Sequence, residues 1–528
     1  MKSNRIRPVW LQSLFERLAV MLRLSALLAV ALLATGCANP TAVSRETNFQ
    51  PNEGVAVMRV VNISGMKVWR IEVTSEASKE TFSFAATHFG QTGSTTFVGR
   101  LPAGRYQPSK LFGSEGLWNI QAPLEKLTGK FDVEASRITD LATMIYLPHE
   151  NRTALHAEQG ATNGRGNSQF SLPLDPTPVP TEQLLALRFP AIAAAVKGRS
   201  SLGWVEGTVP RQPAKLLELV SRHAAMTGTP VFLGEGRSVA AGQLGTIVDR
   251  GAARDSWAHR ITGVVHQLEA IIRLKDGRWM VGGEEGYLAV ADTLQARWNR
   301  LPGLGHDEVV LNLFQGPDGS IYMVTMNDSG STVYQTAPEA FNWKVIRRIE
   351  GDRSKMNFQL RMSLRHSAAM SKDRLVIHTL PDTITSLDFL SGQWEKHETP
   401  RPFISGIKIT PDGYLTGILN TGFRYGSDDH GKTWHRQEVW AIASLSDYSE
   451  RGKGMMIAAN LGLTKGKYFV RRTEDSGKSW SAVHEVENGA DWIDMPLWID
   501  PLDKSGKNLY AMRFGRIYNS TDMGATWK

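Results

Sequence analysis

The sequence predicts an all-β protein: a small N-terminal β-sandwich followed by a seven-bladed β-propeller, with six blades as the alternative count. Three observations predict it. Seven tryptophans, Trp257, Trp298, Trp343, Trp394, Trp434, Trp480 and Trp527, recur at intervals of 41, 45, 51, 40, 46 and 47 residues, the length of a four-stranded blade. Turn glycines stand 21 residues before four of them: Gly236, Gly277, Gly413 and Gly506. Asp-Gly between apolar runs, as at Asp276-Gly277 and Asp412-Gly413, is a hairpin signal. The third observation is an eight-residue motif, Ser427–Trp434, that returns at Thr473–Trp480 and Ser520–Trp527. Its pattern is Ser/Thr-x-Asp-x-Gly-x-Ser/Thr-Trp. The Asp accepts hydrogen bonds from its own turn, the Gly takes a positive φ, and the Trp is a large apolar anchor.

The chain begins with a leader. Lys2, Arg5, Arg7, Arg17 and Arg23 stand against one acid, Glu16, and Leu24–Thr35 is an unbroken apolar run. A basic stretch followed by a short apolar one reads as an export signal over 1–36. The run is about half the length that a spanning helix needs. Cys37 is the single cysteine among 528 residues, so the chain cannot be stapled by disulfides of its own. Ala34-Thr35-Gly36-Cys37 resembles the bacterial lipobox. That resemblance implies a lipidated Cys37 at the mature N-terminus, and Ala38-Asn39 after it implies sorting to the outer membrane. The formal charge of +8 falls to about +4 without the leader, which argues against a dedicated nucleic-acid binder.

Residues 37–51 read as a polar tether. From 52 to 150 short alternating runs, among them VAVMRVV, MKVWRIEV and LATMIYL, give the period-two pattern of half-buried strands. They predict one antiparallel sandwich of about seven strands. Leu101–Tyr106 resembles the turn-to-strand edge of transthyretin-like sandwiches. The domain reads equally as a docking module and as a spacer. Residues 151–199 are a linker rich in Gly, Asn, Ser and Pro. It holds a helix over 181–198, capped by Thr181, which Pro190 kinks or splits. This helix has few cations on its polar face, so it is expected to pack on a β domain rather than a membrane.

The propeller is expected over 200–528. The eight-residue motif resembles the Asp-box (BNR) repeat of sialidase-type propellers, and its Asp429, Gly431, Trp434, Asp475, Gly477, Trp480, Asp522, Gly524 and Trp527 are read as structural, at the rim of the ring. The sequence stops at Trp527-Lys528, where an outer strand is due, so residues 203–209 with Trp204 are expected to complete the last blade and close the ring.

No metal, nucleotide or cofactor signature is present. The resemblance to sialidases implies an arginine triad and a Tyr–Glu pair for an enzyme, but their Arg-Ile-Pro signature is missing early in the propeller. Arg361, Arg365 and Arg513 are the candidate ligand-face cations. The expected protein is therefore not an enzyme. It is an outer-membrane lipoprotein, held to the membrane by its lipid anchor, whose propeller binds a protein or glycan partner and no nucleic acid. It needs no cofactor. The photosystem assembly-factor-like propellers and sortilin-like receptors, which share the repeat, bind polypeptides. An exported sialidase-type hydrolase and a structural envelope spacer are the alternatives.

Overall fold

A computed structural model describes most of residues 50–147, 181–196, 203–209, 224–351 and 367–528, together with 41, 43, 47, 169–171, 220 and 221. Cys37, Arg361 and Arg365 lie outside the described residues. The architecture is nearly all β: an N-terminal β domain and a seven-bladed propeller.

The N-terminal domain is one continuous sheet folded over on itself. Its strands are β1 (Glu53–Asn62), β2 (Lys67–Ser75), β3 (Thr81–Thr87), β4 (Ser94–Pro102), β5 (Gly104–Glu115), β6 (Trp118–Pro123), β7 (Phe131–Val133), β8 (Ile138–Leu147) and β9 (Gln169–Ser171). They run in the order β6-β5-β2-β3-β4-β1-β8-β9, with β7 on β5. The alternating apolar residues line one shared core that includes Met58, Ile71, Phe84, Phe97, Leu111, Phe131 and Met144. The β1–β8 pair is parallel, unlike the all-antiparallel sandwich the pattern predicts. β1 is buried on both faces, which is why it reads as a near-continuous apolar run. Its second face packs on two helices, α1 (Thr181–Arg188) and α2 (Pro190–Ala195), through Val55, Val57, Leu184, Leu185, Phe189 and Ile192. Pro190 splits the helix because it cannot continue the backbone ladder, and it serves as a first-turn residue of α2. Thr181 donates its hydroxyl to Asp140, 2.6 Å away.

Blades 1 to 6 each have four antiparallel strands in chain order from the centre outwards, and blade 7 has three. Blade 1 runs Met226–Gly234, Arg237–Gly242, Thr246–Arg250 and Trp257–Ile261. Blade 7 runs Leu497–Ile499, Leu509–Arg513 and Arg516–Ser520. Each phased tryptophan stands at or just before the start of an outer strand. The phased glycines sit between first and second strands with φ of 75°, 95°, 86° and 67°, where a Cβ would be strained.

The expected closing strand is a correction. Trp204 is not in the propeller. It bridges to Phe131 in the N-terminal domain, donates its indole N–H to the Leu141 carbonyl at 2.9 Å, and packs on that domain's core. A tryptophan beside a short apolar run fits any sheet with an open apolar edge, and the nearer one captured it. Blade 7 begins its own outer strand instead, with Asn519 and Lys528 exchanging backbone hydrogen bonds of 3.1 and 2.9 Å.

The ring closes by side-chain packing between blades 1 and 7. Met226, Ala240 and Val248 of blade 1 meet Trp498, Tyr510 and Ile517 of blade 7. Fully buried Arg250 donates to the side-chain oxygen of Asn519 at 2.8 Å, to the Lys528 carbonyl at 3.0 Å and to the Gly236 carbonyl.

Antiparallel blades give the ring two different faces. First-to-second and third-to-fourth strand turns lie on one, the hairpin face. Second-to-third strand turns and the connections between blades lie on the other, the loop face. The N-terminal domain sits on the loop face. Gln243 of blade 1 donates to the Asn62 carbonyl at 3.2 Å. Arg188 of α1 pairs with Asp328 of blade 3 at 3.2 Å.

Candidate binding cleft

The three eight-residue turns lie on the hairpin face with one geometry. Asp429, Asp475 and Asp522 each accept the backbone N–H four residues on, from Thr433, Ser479 and Thr526, at 2.8, 2.9 and 2.9 Å. The leading hydroxyl accepts the glycine N–H in turn, Ser427 from Gly431, Thr473 from Gly477 and Ser520 from Gly524, at 2.8, 2.9 and 2.7 Å. The residue before each glycine, His430, Ser476 or Met523, also has a positive φ. Each turn leans on the blade before it: a Cβ on Gly524 would overlap Val470 of blade 6, and one on Gly477 would crowd Gln437 of blade 5. Trp434 donates its N–H to the Gly431 carbonyl at 3.1 Å. Trp480 meets Tyr448 edge-on, and Trp527 lies 5.0 Å from the Trp492 ring. For Asp475, hydrogen bonds from Ser479 hold the carboxyl at about 2 against the opposing pull of burial. At Asp429 burial pushes upwards, and the Thr433 and Ser427 hydrogen bonds outweigh it, again to about 2. These carboxylates are ionised and committed to their own turns.

A cleft of about 570 Å³ opens on the same face, over blades 5 to 7 and the edge of blade 1. Its apolar wall is built from Phe232, Ile409, Pro411, Trp498, Pro501 and Met523. The elements that position them are the ends of first strands. Phe232 and Ile409 each stand four residues before a phased glycine, Gly236 and Gly413. Trp498 is in the middle of blade 7's first strand, and the Phe232 ring lies against Tyr510, centroids 4.4 Å apart and tilted by 34°. Blades 5, 6 and 7 are tied together beneath the cleft. The Lys408 ammonium pairs with Asp447 at 3.0 Å, donates to the Leu497 carbonyl at 2.8 Å and lies 5.7 Å from the Trp498 ring. The second Asp447 oxygen accepts the Ile499 N–H at 2.8 Å.

The charged rim is asymmetric. Every acid lining the cleft has a partner inside the protein. Asp447 is held as above, and Glu450 pairs with Lys453 at 2.5 Å. Asp500 accepts the Leu502 N–H at 2.9 Å. Asp503 accepts from Ser505, Lys507 and Asn508. Lys504 is exposed and has no ion pair among the described residues. Burial pushes the phenols of Tyr448 and Tyr510, at the base, well above their usual range, so both stay neutral.

Of the candidate ligand-face cations, Arg513 is described, and it lies at the loop-face end of its strand, away from the cleft. Its guanidinium is 5.6 Å from the Trp492 ring. The cleft residues were not singled out from the sequence. Phe232 and Ile409 carry a positional signal, four residues before a hairpin glycine, which needs the blade phase to be read. Met523 also corrects the expectation that the eight-residue turns face only the rim, because it sits inside the third turn and lines the cleft. Among the described residues no cluster of three or more His, Cys, Asp or Glu side chains is placed to hold a metal.

Fold and cleft together define a seven-bladed β-propeller carrying an N-terminal β domain. No family model matches the sequence, and no curated protein does. Among solved structures the chain is similar to YCF48 bound to a D1 peptide, with 15% identity and a TM-score of 0.42 over 56% of this chain and 91% of that one. It is similar to YCF48 from Cyanidioschyzon merolae, with 11% identity and a TM-score of 0.41 over 56% and 95%. It is also similar to an inactive virginiamycin B lyase from Staphylococcus aureus with quinupristin, with 11% identity and a TM-score of 0.39 over 56% and 94%. Binding proteins and enzymes share such rings, so activity has to be argued from the site.

Proposed function

We propose that this protein is a non-catalytic binding protein of the bacterial envelope, anchored in the outer membrane through a lipidated Cys37, whose propeller holds a polypeptide partner in the hairpin-face cleft. The observation that carries the reading is the cleft's chemistry. Its volume is in the range of ligand sites, and apolar walls with a few polar groups are what such sites use. The occupant is an extended segment presenting an apolar side chain next to an acidic one. The open wall is apolar, with Phe232, Ile409 and Met523 each partly exposed, and the Met523 thioether suits an adaptable contact. Trp498 is only 6% exposed, so it offers no free aromatic face for stacking a sugar. Lys504 is at the rim with no ion pair among the described residues, and it suits a carboxylate. In blades 5 to 7 the Asp-box motif serves as the turn that joins the outer strand to its blade, and in blade 7 it supplies Met523 to the cleft.

Short displayed peptides selected on the full chain test this. The expected winners carry an apolar residue beside Asp or Glu. Ile409→Glu weakens them at least tenfold, about 1.4 kcal/mol, and Arg513→Ala does not. Winners indifferent to Ile409→Glu would overturn the cleft. An oligosaccharide whose binding Ile409→Glu abolishes would replace the polypeptide with a glycan. Turnover of a fluorogenic sialoside, lost in Arg365→Ala, would replace binding with catalysis. Palmitate labelling that persists in Cys37→Ser would remove the anchor.

A further inference from the structure

A buried charge cluster between the two domains is separate from the cleft. It centres on Glu284 and Glu285, in the turn between the second and third strands of blade 2, each at most 1% exposed. Glu285 has left-handed backbone, φ 55° and ψ 35°, a conformation that a non-glycine residue keeps only when its surroundings hold it there. One oxygen of Glu284 accepts three successive backbone N–H groups of the N-terminal domain, from Thr92, Gly93 and Ser94, at 2.7, 2.7 and 2.8 Å. Its other oxygen accepts the Ser94 hydroxyl at 2.9 Å and the Gln267 N–H at 3.0 Å. Converging backbone N–H groups form an anion-binding nest, and here the anion comes from the other domain. Arg59 of β1 reaches between the two glutamates, 3.2 Å from each. His266 lies 3.2 Å from the far oxygen of Glu285, and burial holds its imidazole below the usual range. Thr92 and Gln267 both donate to Glu269.

We infer that the partner of the N-terminal β domain is the propeller's own loop face, and that the domain is a fixed cap over blades 1 to 3. Polar contact is matched by apolar contact. Val61, Ile63 and Ile145 of the domain pack on Val220 and on Leu244 of blade 1. The approach is close, for a Cβ on Gly93 would overlap the Gln267 side chain. The Glu284 carboxylate and the Ser94 end of the nest are buried in this contact, while Thr92 and Gly93 are half-buried at its edge. The cap turns the two domains into one unit, so the hairpin face keeps a fixed orientation to the N-terminal domain. This assignment is independent of what the cleft binds.

Hydrogen exchange on the full chain tests it, with no variant needed. The amides of Thr92, Gly93 and Ser94 are expected to exchange as slowly as the β1–β4 ladder. Exchange at the rate of an exposed loop would overturn the cap. Gly93→Val wedges the contact without touching either core, and Glu284→Gln places an amide N–H against Arg59 and the Gln267 N–H. Each is expected to speed exchange at Thr92 and Ser94 at least a hundredfold and to split thermal unfolding into two transitions. Glu284→Asp is expected to restore part of the protection. A single transition with wild-type exchange in both variants would also overturn it.

Discussion

The two faces of the ring use charge in opposite ways. On the loop face, Arg59, Glu284 and Glu285 are buried and spent on one another across a domain boundary. On the hairpin face, the cleft acids are held by partners inside the protein, the wall is apolar, and Lys504 is unpaired among the described residues. Buried ion pairs fix geometry, because breaking one strands a charge away from water. An apolar cleft with its acids already satisfied can take up and release a ligand without that penalty. The loop face therefore builds the molecule, and the hairpin face is the one proposed to meet a partner.

The largest expected effect tests the loop face. Arg59→Ala leaves two buried carboxylates without their guanidinium and is expected to cost about 3–5 kcal/mol in denaturant unfolding. Ile409→Glu in the cleft is expected to cost about 1 kcal/mol or less while abolishing binding. Equal losses of stability in the two variants would erase the distinction between the faces.

A pH effect comes next. His378 is fully buried near the loop-face end of blade 4's second strand, and burial pushes its imidazole down to about 4. The unfolded chain takes up that proton near 6.5, well before the folded one does. The stability this histidine contributes is therefore complete above about pH 6.5 and is lost as pH falls toward 4, by about 3 kcal/mol. Unfolding of wild type and His378→Gln across that window measures it. Parallel slopes would show that the imidazole is not held neutral.

The smallest effect belongs to the hairpin-face turns. Asp475→Ala removes hydrogen bonds at the surface and is expected to cost about 1 kcal/mol, with cleft binding unchanged because Asp475 does not line it. Loss of peptide binding in this variant, at unchanged melting temperature, would move the site from the cleft to the turns.

Much of this was legible in sequence because it depends on local chemistry. The Trp and Gly spacing fixes blade length, since each glycine needs a positive φ at one point of a repeating unit. Asp429, Asp475 and Asp522 announce their turns because their partners lie within four residues. Pro190 announces the break in the helix for the same reason. The cleft was not legible, because Phe232, Ile409, Trp498 and Met523 come from three blades and look like ordinary core residues one at a time. Glu284 and Glu285 resembled any acidic turn until the nest at Thr92–Ser94 met them.

Sequence by itself determined the class of fold, the phase of the blades and the turns that cap the last three, because these rest on contacts between near neighbours in the chain, while the choice of seven blades over six came from the structure. Tertiary structure alone decided that Trp204 serves the N-terminal domain, that Arg250 closes the ring, and which face is capped and which is open. Those outcomes rest on pairs such as Arg59 with Glu284 or Arg250 with Asn519. Their partners lie hundreds of residues apart, and only packing brings them within reach.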